Sequence, residues 1–139
     1  MDTGGVVVPD SSAWIAYLRD LDLPVTSVLQ GLLAEKVAIA TTEQVVLEVL
    51  AGARSPRNLR ELRKELLSFP VLELRGLADF ESAAALYRAC RRNGETIRKM
   101  SDCLIAVPVI REDAEILHND ADFDAIARHS DLRIYRGGN

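Results

Sequence analysis

The chain has 139 residues, which fits one domain over residues 1–139 and is enough to bury a core without disulfides. Its composition, 48% hydrophobic and 27% charged, is typical of a soluble globular protein, and no apolar run reaches the roughly 18 residues of a membrane helix. The net charge of −4 taken alone argues against binding a polyanion. Arginines and lysines nevertheless concentrate in two segments, 54–64 and 88–99.

The amino terminus and the cysteines indicate a cytoplasmic protein. The first residues show neither a basic stretch nor a long apolar run, so we expect no signal peptide. Cys90 and Cys103 lack metal or redox spacing and lie in apolar helical patterns. That placement predicts reduced residues in the core.

Strand-like and helix-like patterns alternate along the whole chain, which predicts an α/β fold with a mostly parallel sheet. In order, we expect a strand at 5–8, helices at 11–18 and 24–36, a strand at 37–40, helices at 45–50 and 56–66, a strand at 71–74, helices at 80–90 and from 102, a strand at 114–118, a helix at 122–129 and a strand at 132–135.

Several predicted helices begin with a capping residue. These caps are Ser11 or Ser12, Thr41 in a capping box with Gln44, Ser55 before Pro56, and Ser101. Pro108 lies inside the helix that Ser101 opens, so we expect a kink or an early end there.

Carboxylates stand where two of the strands end. Asp10 follows the first strand and Asp120 the fourth, at the carboxyl edge where parallel sheets bind ligands. Asp10 could instead cap a helix, although Ser11 and Ser12 could do so equally well. If the two strands are neighbours, the acids converge, and a hard divalent cation is the usual reason to gather like charges.

Four further acids have both a functional and a structural interpretation. Glu48 lies in an otherwise apolar helix, where it is either buried with a partner or exposed on the outer face. Asp102 begins a helix, where the helix dipole alone would explain it. Asp122 and Asp124 continue an acidic run that fits a turn and a helix start, and that lacks the glycine and distal glutamate of an EF-hand loop.

No competing catalytic motif is present. The sequence has no G-x-S-x-G, P-loop or G-x-G-x-x-G motif, and His118 and His129 lack zinc spacing and are interpreted as structural. A receiver-type signalling domain would need an aspartate after strand three and a lysine after strand five. Arg75-Gly76 follows strand three, and no lysine follows strand five, which disfavours that class.

Four segments, in this order and at family spacing, resemble the PIN-domain nucleases and, within them, the VapC toxins of bacterial toxin–antitoxin pairs. They are DSSAWI from Asp10, TEQVVLEVLAGA from Thr42, SDCLIA from Ser101 and LHNDADF from Leu117. Each segment alone is weak evidence, whereas four together are a strong signal. The match runs from Val6 to Tyr135.

The resemblance implies a single PIN-like domain, with a central parallel sheet of about five strands in the order 3-2-1-4-5 flanked by helices. It also implies a site for Mg²⁺, with Mn²⁺ as a substitute, and endonucleolytic cleavage of cellular RNA such as tRNA or rRNA. The implied partners are a VapB-type antitoxin and the RNA substrate, with no membrane. A homodimer is also expected, because two-fold pairs are the commonest oligomers.

Site residues follow from the same resemblance. The catalytic acids fall on Asp10, Glu48, Asp102 and Asp120, and the metal ligands on Asp10, Asp102, Asp120 and Asp122. Ser12 matches a small hydroxyl residue near the metal and is expected to contact the substrate. The basic segments 54–64 and 88–99, the latter with Arg91 and Arg92, are expected to bind the RNA backbone. Asp124 is expected on the helical surface, and Glu43 is disfavoured against Glu48 because Leu50-Ala51-Gly52 matches the family pattern. Pro108 departs from that pattern.

A negative pocket of this kind would also attract a basic side chain of a partner. We expect a partner to insert an arginine or lysine among the acids and to dock a helix near Trp14 and the 45–66 region. Two alternatives on the same fold stay open, namely a stand-alone RNA-processing PIN nuclease and a catalytically silent RNA- or protein-binding module.

Overall fold

A computed structural model describes residues 5–137 of the chain. In chain order its elements are β1 (Val7–Pro9), α1 (Ser11–Leu18), α2 (Pro24–Ala34), β2 (Thr41–Thr42), α3 (Glu43–Ala51), α4 (Pro56–Leu66), β3 (Val71–Leu72), α5 (Leu77–Arg92), α6 (Ser101–Arg111), β4 (Glu115–Leu117), α7 (Ala121–Arg128) and β5 (Arg133–Ile134). The predicted alternation of strands and helices is confirmed.

All strand pairs are parallel, and β1 lies directly beside β4. The pairs form two hydrogen-bonded pieces, β1-β4-β5 and β2-β3. A single parallel bridge between Val7 and Ile39 joins them, with hydrogen bonds from Val7 N to Ala38 O and from Ala40 N to Val7 O. The strand arrangement therefore differs in detail from the predicted single sheet of order 3-2-1-4-5, because only the segment before β2 contacts β1, whereas the α/β fold is as predicted.

The second strand accounts for this interruption. It was expected at 37–40, whereas the regular strand is Thr41–Thr42, which pairs with β3 instead of β1. The chain thus passes from a brief contact with β1 to a contact with β3 within a few residues. Because Thr42 must also cap α3, the strand ends there.

The core lies between the sheet and the helices, and Trp14 is its largest fully buried side chain. Trp14 packs edge-on to Tyr17 and against Phe69. The expectation that Trp14 contributes to a partner surface is therefore wrong. Cys90 and Cys103 are both free thiols in the core, as predicted.

Ser55 caps α4, as predicted. The other three predicted helix caps differ from the structure. Asp10, not a serine, caps α1, and Thr42 rather than Thr41 caps α3. Ser101 is the first residue of α6 and does not cap it. The serines that follow Asp10 do not cap α1 because their hydroxyls donate to carboxylates.

Two more features bear on the predictions. Pro108 does not shorten α6, which continues to Arg111. Within residues 5–137, no helix is both long and apolar enough to cross a membrane.

Candidate active site

The turn after β1 holds the first predicted acid in a fixed orientation. Asp10 is 2% exposed, and its Oδ1 accepts hydrogen bonds from Ala13 N at 2.9 Å and Ser12 Oγ at 2.7 Å. Ser12 Oγ in turn accepts from Asn119 N at 3.0 Å. One hydroxyl therefore connects the acid after β1 to the loop after β4, as the neighbouring positions of these strands allow.

Three of the predicted acids meet in one cluster. Asp102, Asp120 and Asp122 each offer a carboxylate oxygen, and these oxygens lie within 4.8 Å of one another. Asp102 comes from the first turn of α6, and the other two come from the start of α7. Asp10 is outside this group of three, but its negative charge is one of the smaller causes that raise the pKa of Asp102.

The turn between β4 and α7 orients Asp120. This residue caps α7, its Oδ1 accepting from Asp122 N at 3.0 Å. Its own N–H donates to His118 Nδ1 at 3.0 Å, and the His118 ring packs against Phe123 at 5.4 Å between centroids. His118 is thus structural, as predicted, and the structure adds that it supports the backbone of a candidate ligand.

Two basic residues before α6 face the cluster. Their position beside the acids was not predicted from the sequence. The backbone N–H groups of Arg98 and Lys99 donate to Asp122 Oδ2 at 3.1 and 3.0 Å. Lys99 Nζ lies 2.6 Å from Asp120 Oδ2, and the Arg98 guanidinium lies 3.6 Å from Asp120 Oδ1. In the sequence, both belong to a basic segment that was expected to bind RNA.

Glu48 lies on α3, on the side that contacts the start of α1. Its carboxylate accepts from Ser11 Oγ at 2.5 Å and from Gln44 Nε2 at 2.8 Å, and the residue is half-buried. Ser11 adjoins Asp10, so this contact brings Glu48 toward the turn after β1. The rival Glu43 instead accepts from Leu74 N at 2.8 Å, which gives it a structural role.

Burial and mutual repulsion shift the ionisation of these acids. Burial raises the pKa of Asp10 to about 6, against the hydrogen bonds from Ala13 and Ser12. Burial, together with the negative charges of the neighbouring aspartates, raises the pKa of Asp102 to about 8. For Asp120, burial is outweighed by the ion pair with Lys99, which lowers the pKa of the carboxyl.

The donor set suits a hard divalent cation. Asp102 Oδ2 is buried and has no hydrogen-bond partner in the described chain, an arrangement that costs free energy unless a ligand compensates it. Carboxylate oxygens are the ligands that Mg²⁺ and Mn²⁺ prefer. Asp102, Asp120 and Asp122 could hold such an ion, with Asp10 beside them.

The remaining predicted residues lie outside the cluster. Arg91 and Arg92 are exposed in the last turn of α5, and the Arg91 guanidinium stacks over Tyr87 at 5.7 Å. Asp124 is partly exposed on α7 and pairs with His118 at 3.3 Å, consistent with its expected place outside the metal site.

A groove of about 310 Å³ runs between α1, α3 and α4. Its apolar lining comes from Ile15, Leu18, Val49 and Leu62, and its polar lining includes Arg54. Val49 directly follows Glu48 on α3, and Ile15 lies on α1, the helix that Asp10 caps. This is the part of the 45–66 region in which a partner helix was expected.

Comparisons with known proteins agree with this geometry. The family described as PIN domain matches residues 7–129. Ribonuclease VapC11 of Mycobacterium tuberculosis is 40% identical over 129 residues, covering 92% of this chain and 96% of that protein.

Solved structures with a similar fold include VapC proteins, alone or with their partners. VapBC2 from Rickettsia felis, bound to a DNA fragment from its promoter, gives a TM-score of 0.71 at 17% identity, over 94% of this chain and 97% of that one. Mycobacterium tuberculosis VapC20, described as a sarcin–ricin loop cleaving toxin, gives 0.65 at 18% identity, over 91% and 98%.

Proposed function

Because this chain belongs to the PIN-domain family and, within it, to the VapC proteins, we propose that it is a divalent-metal-dependent endoribonuclease and the toxin of a toxin–antitoxin pair. The observation that carries the proposal is the cluster of Asp102, Asp120 and Asp122, with Asp10 beside it at the carboxyl edge of neighbouring strands. The family match also removes the receiver-type alternative.

The chemistry proposed is hydrolysis of an RNA phosphodiester. Asp10, Asp102, Asp120 and Asp122 would hold a divalent cation, Mg²⁺ or Mn²⁺, and Glu48 would orient a water molecule beside it. When bound, the cation would supply positive charge next to the phosphate and make the water more acidic. Ser12 keeps the Asp10 carboxylate in place, because its hydroxyl is itself fixed by Asn119.

The names of two relatives support RNA as the substrate, because VapC11 is named a ribonuclease and VapC20 a toxin that cleaves the sarcin–ricin loop. We infer that this chain cleaves cellular RNA, tRNA or rRNA, and that it acts in the cytoplasm. Arg91 and Arg92 bind the RNA backbone, since phosphate contacts add affinity with little sequence choice.

The partner we propose is a VapB-type antitoxin, since VapBC2 is a complex of this kind. Its helix would lie in the groove lined by Ile15, Val49 and Leu62, and its basic side chain would pair with the acids. We also propose a homodimer, for which exposed apolar side chains such as Leu77 and Phe80 on α5 offer contact surface.

A cleavage assay tests the activity. Purified chain is incubated with total RNA in Mg²⁺, in Mn²⁺ or in EDTA, and the new RNA ends are sequenced. We expect discrete cleavage sites with either metal and none in EDTA or with the Asp120→Asn variant. Equal cleavage in EDTA contradicts metal dependence, and no cleavage in any condition favours the silent binding module.

A further inference from the structure

The Lys99 side chain contacts the acid cluster, and residues of the same cluster hydrogen-bond to the Lys99 backbone. Its main-chain N donates to Asp122 Oδ2 at 3.0 Å, and its main-chain O accepts from Asp102 N at 2.9 Å. The side chain, by contrast, is 56% exposed while its Nζ contacts Asp120 Oδ2. Because the lysine stem is flexible and has solvent beside it, the ammonium can leave Asp120 without backbone movement.

The charges around Lys99 are unequal in number. Asp102, Asp120 and Asp122 offer carboxylate oxygens within 4.8 Å of one another, and Ser12 connects Asp10 to the loop that carries Asp120. Arg98 is the other cation that faces them, but it is 73% exposed and its nitrogens lie 3.6 and 3.9 Å from the nearest acid oxygens. Lys99 at 2.6 Å is thus the closest positive charge to the cluster.

The Asp120 carboxylate contacts the Lys99 ammonium and also belongs to the group that could bind a divalent cation. The Asp120 side chain is 6% exposed, so it depends on a cation to remain charged in this environment. A divalent cation and an ammonium repel each other strongly at the few ångströms that separate these oxygens.

We propose that Lys99 is an exchangeable internal counter-cation, which pairs with Asp120 in the metal-free chain and releases this carboxylate when the cluster takes up a divalent cation. This role rests on the proposed function, because it requires the metal site. Two consequences follow. Lys99 stabilises the metal-free fold, and it weakens metal affinity, because its ion pair with Asp120 must break when the metal binds.

The test uses Lys99→Gln, which removes the charge and keeps most of the stem. Free Mn²⁺ is measured by electron paramagnetic resonance during a titration of the full chain without RNA. We expect the Kd for Mn²⁺ to fall by about tenfold, equivalent to about 1.4 kcal/mol. The metal-free variant should melt at a lower temperature than wild type, whereas the two should melt together in saturating Mn²⁺.

Two variants serve as controls. Lys99→Arg keeps the positive charge and should bind Mn²⁺ nearly as wild type does. Lys36→Gln makes the same charge change at an exposed residue between α2 and β2. Lys36 precedes the amino end of β2, whereas the acids follow the carboxyl ends of β1 and β4, so this variant should change neither the Kd for Mn²⁺ nor the melting temperature. Circular dichroism confirms that each variant is folded.

The outcomes separate this role from the proposed function. If wild type binds Mn²⁺ and Lys99→Gln binds it no more tightly, the exchange is wrong while the metal site stands. If Lys99→Gln lowers the melting temperature equally with and without Mn²⁺, Lys99 keeps its ion pair in both states and the exchange is again wrong. If no variant binds Mn²⁺, the metal site itself fails.

Discussion

Ser12 and Asp10 form a unit in which the serine hydroxyl donates to both carboxylate oxygens, at 2.7 and 3.0 Å, while it accepts from Asn119 N. The hydroxyl therefore does more than favour the charged form of Asp10. It fixes the direction in which that carboxylate points, and it ties the turn after β1 to the loop that carries Asp120.

The first prediction concerns this hydroxyl. Ser12→Ala removes a donor from Asp10 and leaves the exposed Asn119 N–H to bond with water, so the free energy of unfolding should fall by about 0.5–1.5 kcal/mol in urea titrations. The Kd for Mn²⁺ should rise, because Asp10 loses its fixed orientation. Ser82→Ala, on the exposed face of α5, is a matched control. Wild-type metal affinity in a folded Ser12→Ala chain would contradict the positioning role.

The second prediction concerns the acids. Asp10→Asn, Asp102→Asn and Asp120→Asn should each remove most RNA cleavage, because each replaces a hard anionic ligand with a neutral amide. Mg²⁺ should raise the melting temperature of wild type by mass action, and these variants should lose that increase. Asp22→Asn, an exposed position between α1 and α2, controls for loss of charge. Wild-type rates in all three folded variants would exclude the metal site.

The third prediction concerns pH in the metal-free chain. The folded-state pKa of Asp102 is about 8 and that of Asp10 about 6, both above the ordinary value of 3.8. Between pH 3.8 and these raised values, the folded chain binds more protons than the unfolded chain. The contribution of Asp10 and Asp102 to the free energy of unfolding therefore decreases as pH rises through this window. It is complete below pH 3.8 and is lost as pH rises through about 8 for Asp102.

Urea titrations in EDTA at several pH values between about 5 and 8.5 measure this slope. Asp102→Asn should flatten it, because the amide does not titrate. Asp79 and Glu95 do not interfere, since their pKa values are lowered and their contributions are lost only as pH falls below this range. A slope that is identical in wild type and Asp102→Asn would show that Asp102 does not titrate in this range.

The acids at the strand ends were predictable from the sequence, whereas the basic residue among them was not. Asp10 and Asp120 each follow an apolar run, and parallel strands place such residues at one edge. Lys99 is part of a charged segment that is typical of solvated surface. Its position depends on the backbone of 98–99 donating to Asp122, a contact between residues far apart in the chain.

The residue that caps α1 could not be predicted from local sequence either. Local propensity favours a serine or threonine at the start of α1 as much as it favours Asp10. What decides is tertiary, because Ser11 donates to Glu48, which lies 37 residues further on. The interrupted sheet has a similar cause, since apolar character at 37–40 identifies buried backbone but not which neighbour it pairs with.

The fourth prediction concerns RNA binding. Reversing the charges of Arg91 and Arg92, which are exposed at the end of α5, should weaken binding of single-stranded RNA. The slope of log K against log salt should become shallower by about 0.7 for each phosphate that the chain no longer neutralises. Arg57 and Arg60 on α4 are the comparison pair, and their reversal tests the other basic segment. If neither double variant changes the slope, both arginine pairs are solvated surface.

The last prediction concerns the partner. Co-expression with the neighbouring open reading frame should give a complex that suppresses cleavage. A basic side chain of the antitoxin would pair with the acids in place of the metal. The groove between α1, α3 and α4 would hold the antitoxin helix, so Leu62→Arg in its wall should weaken the complex and let cleavage persist. Gln30→Arg adds the same charge at an exposed position of α2 outside this groove and should leave the inhibition intact. Pull-down and an RNase assay on the same preparation measure both effects. A neighbour that does not co-purify, or that binds without suppressing cleavage, would favour a stand-alone RNA-processing nuclease on this fold.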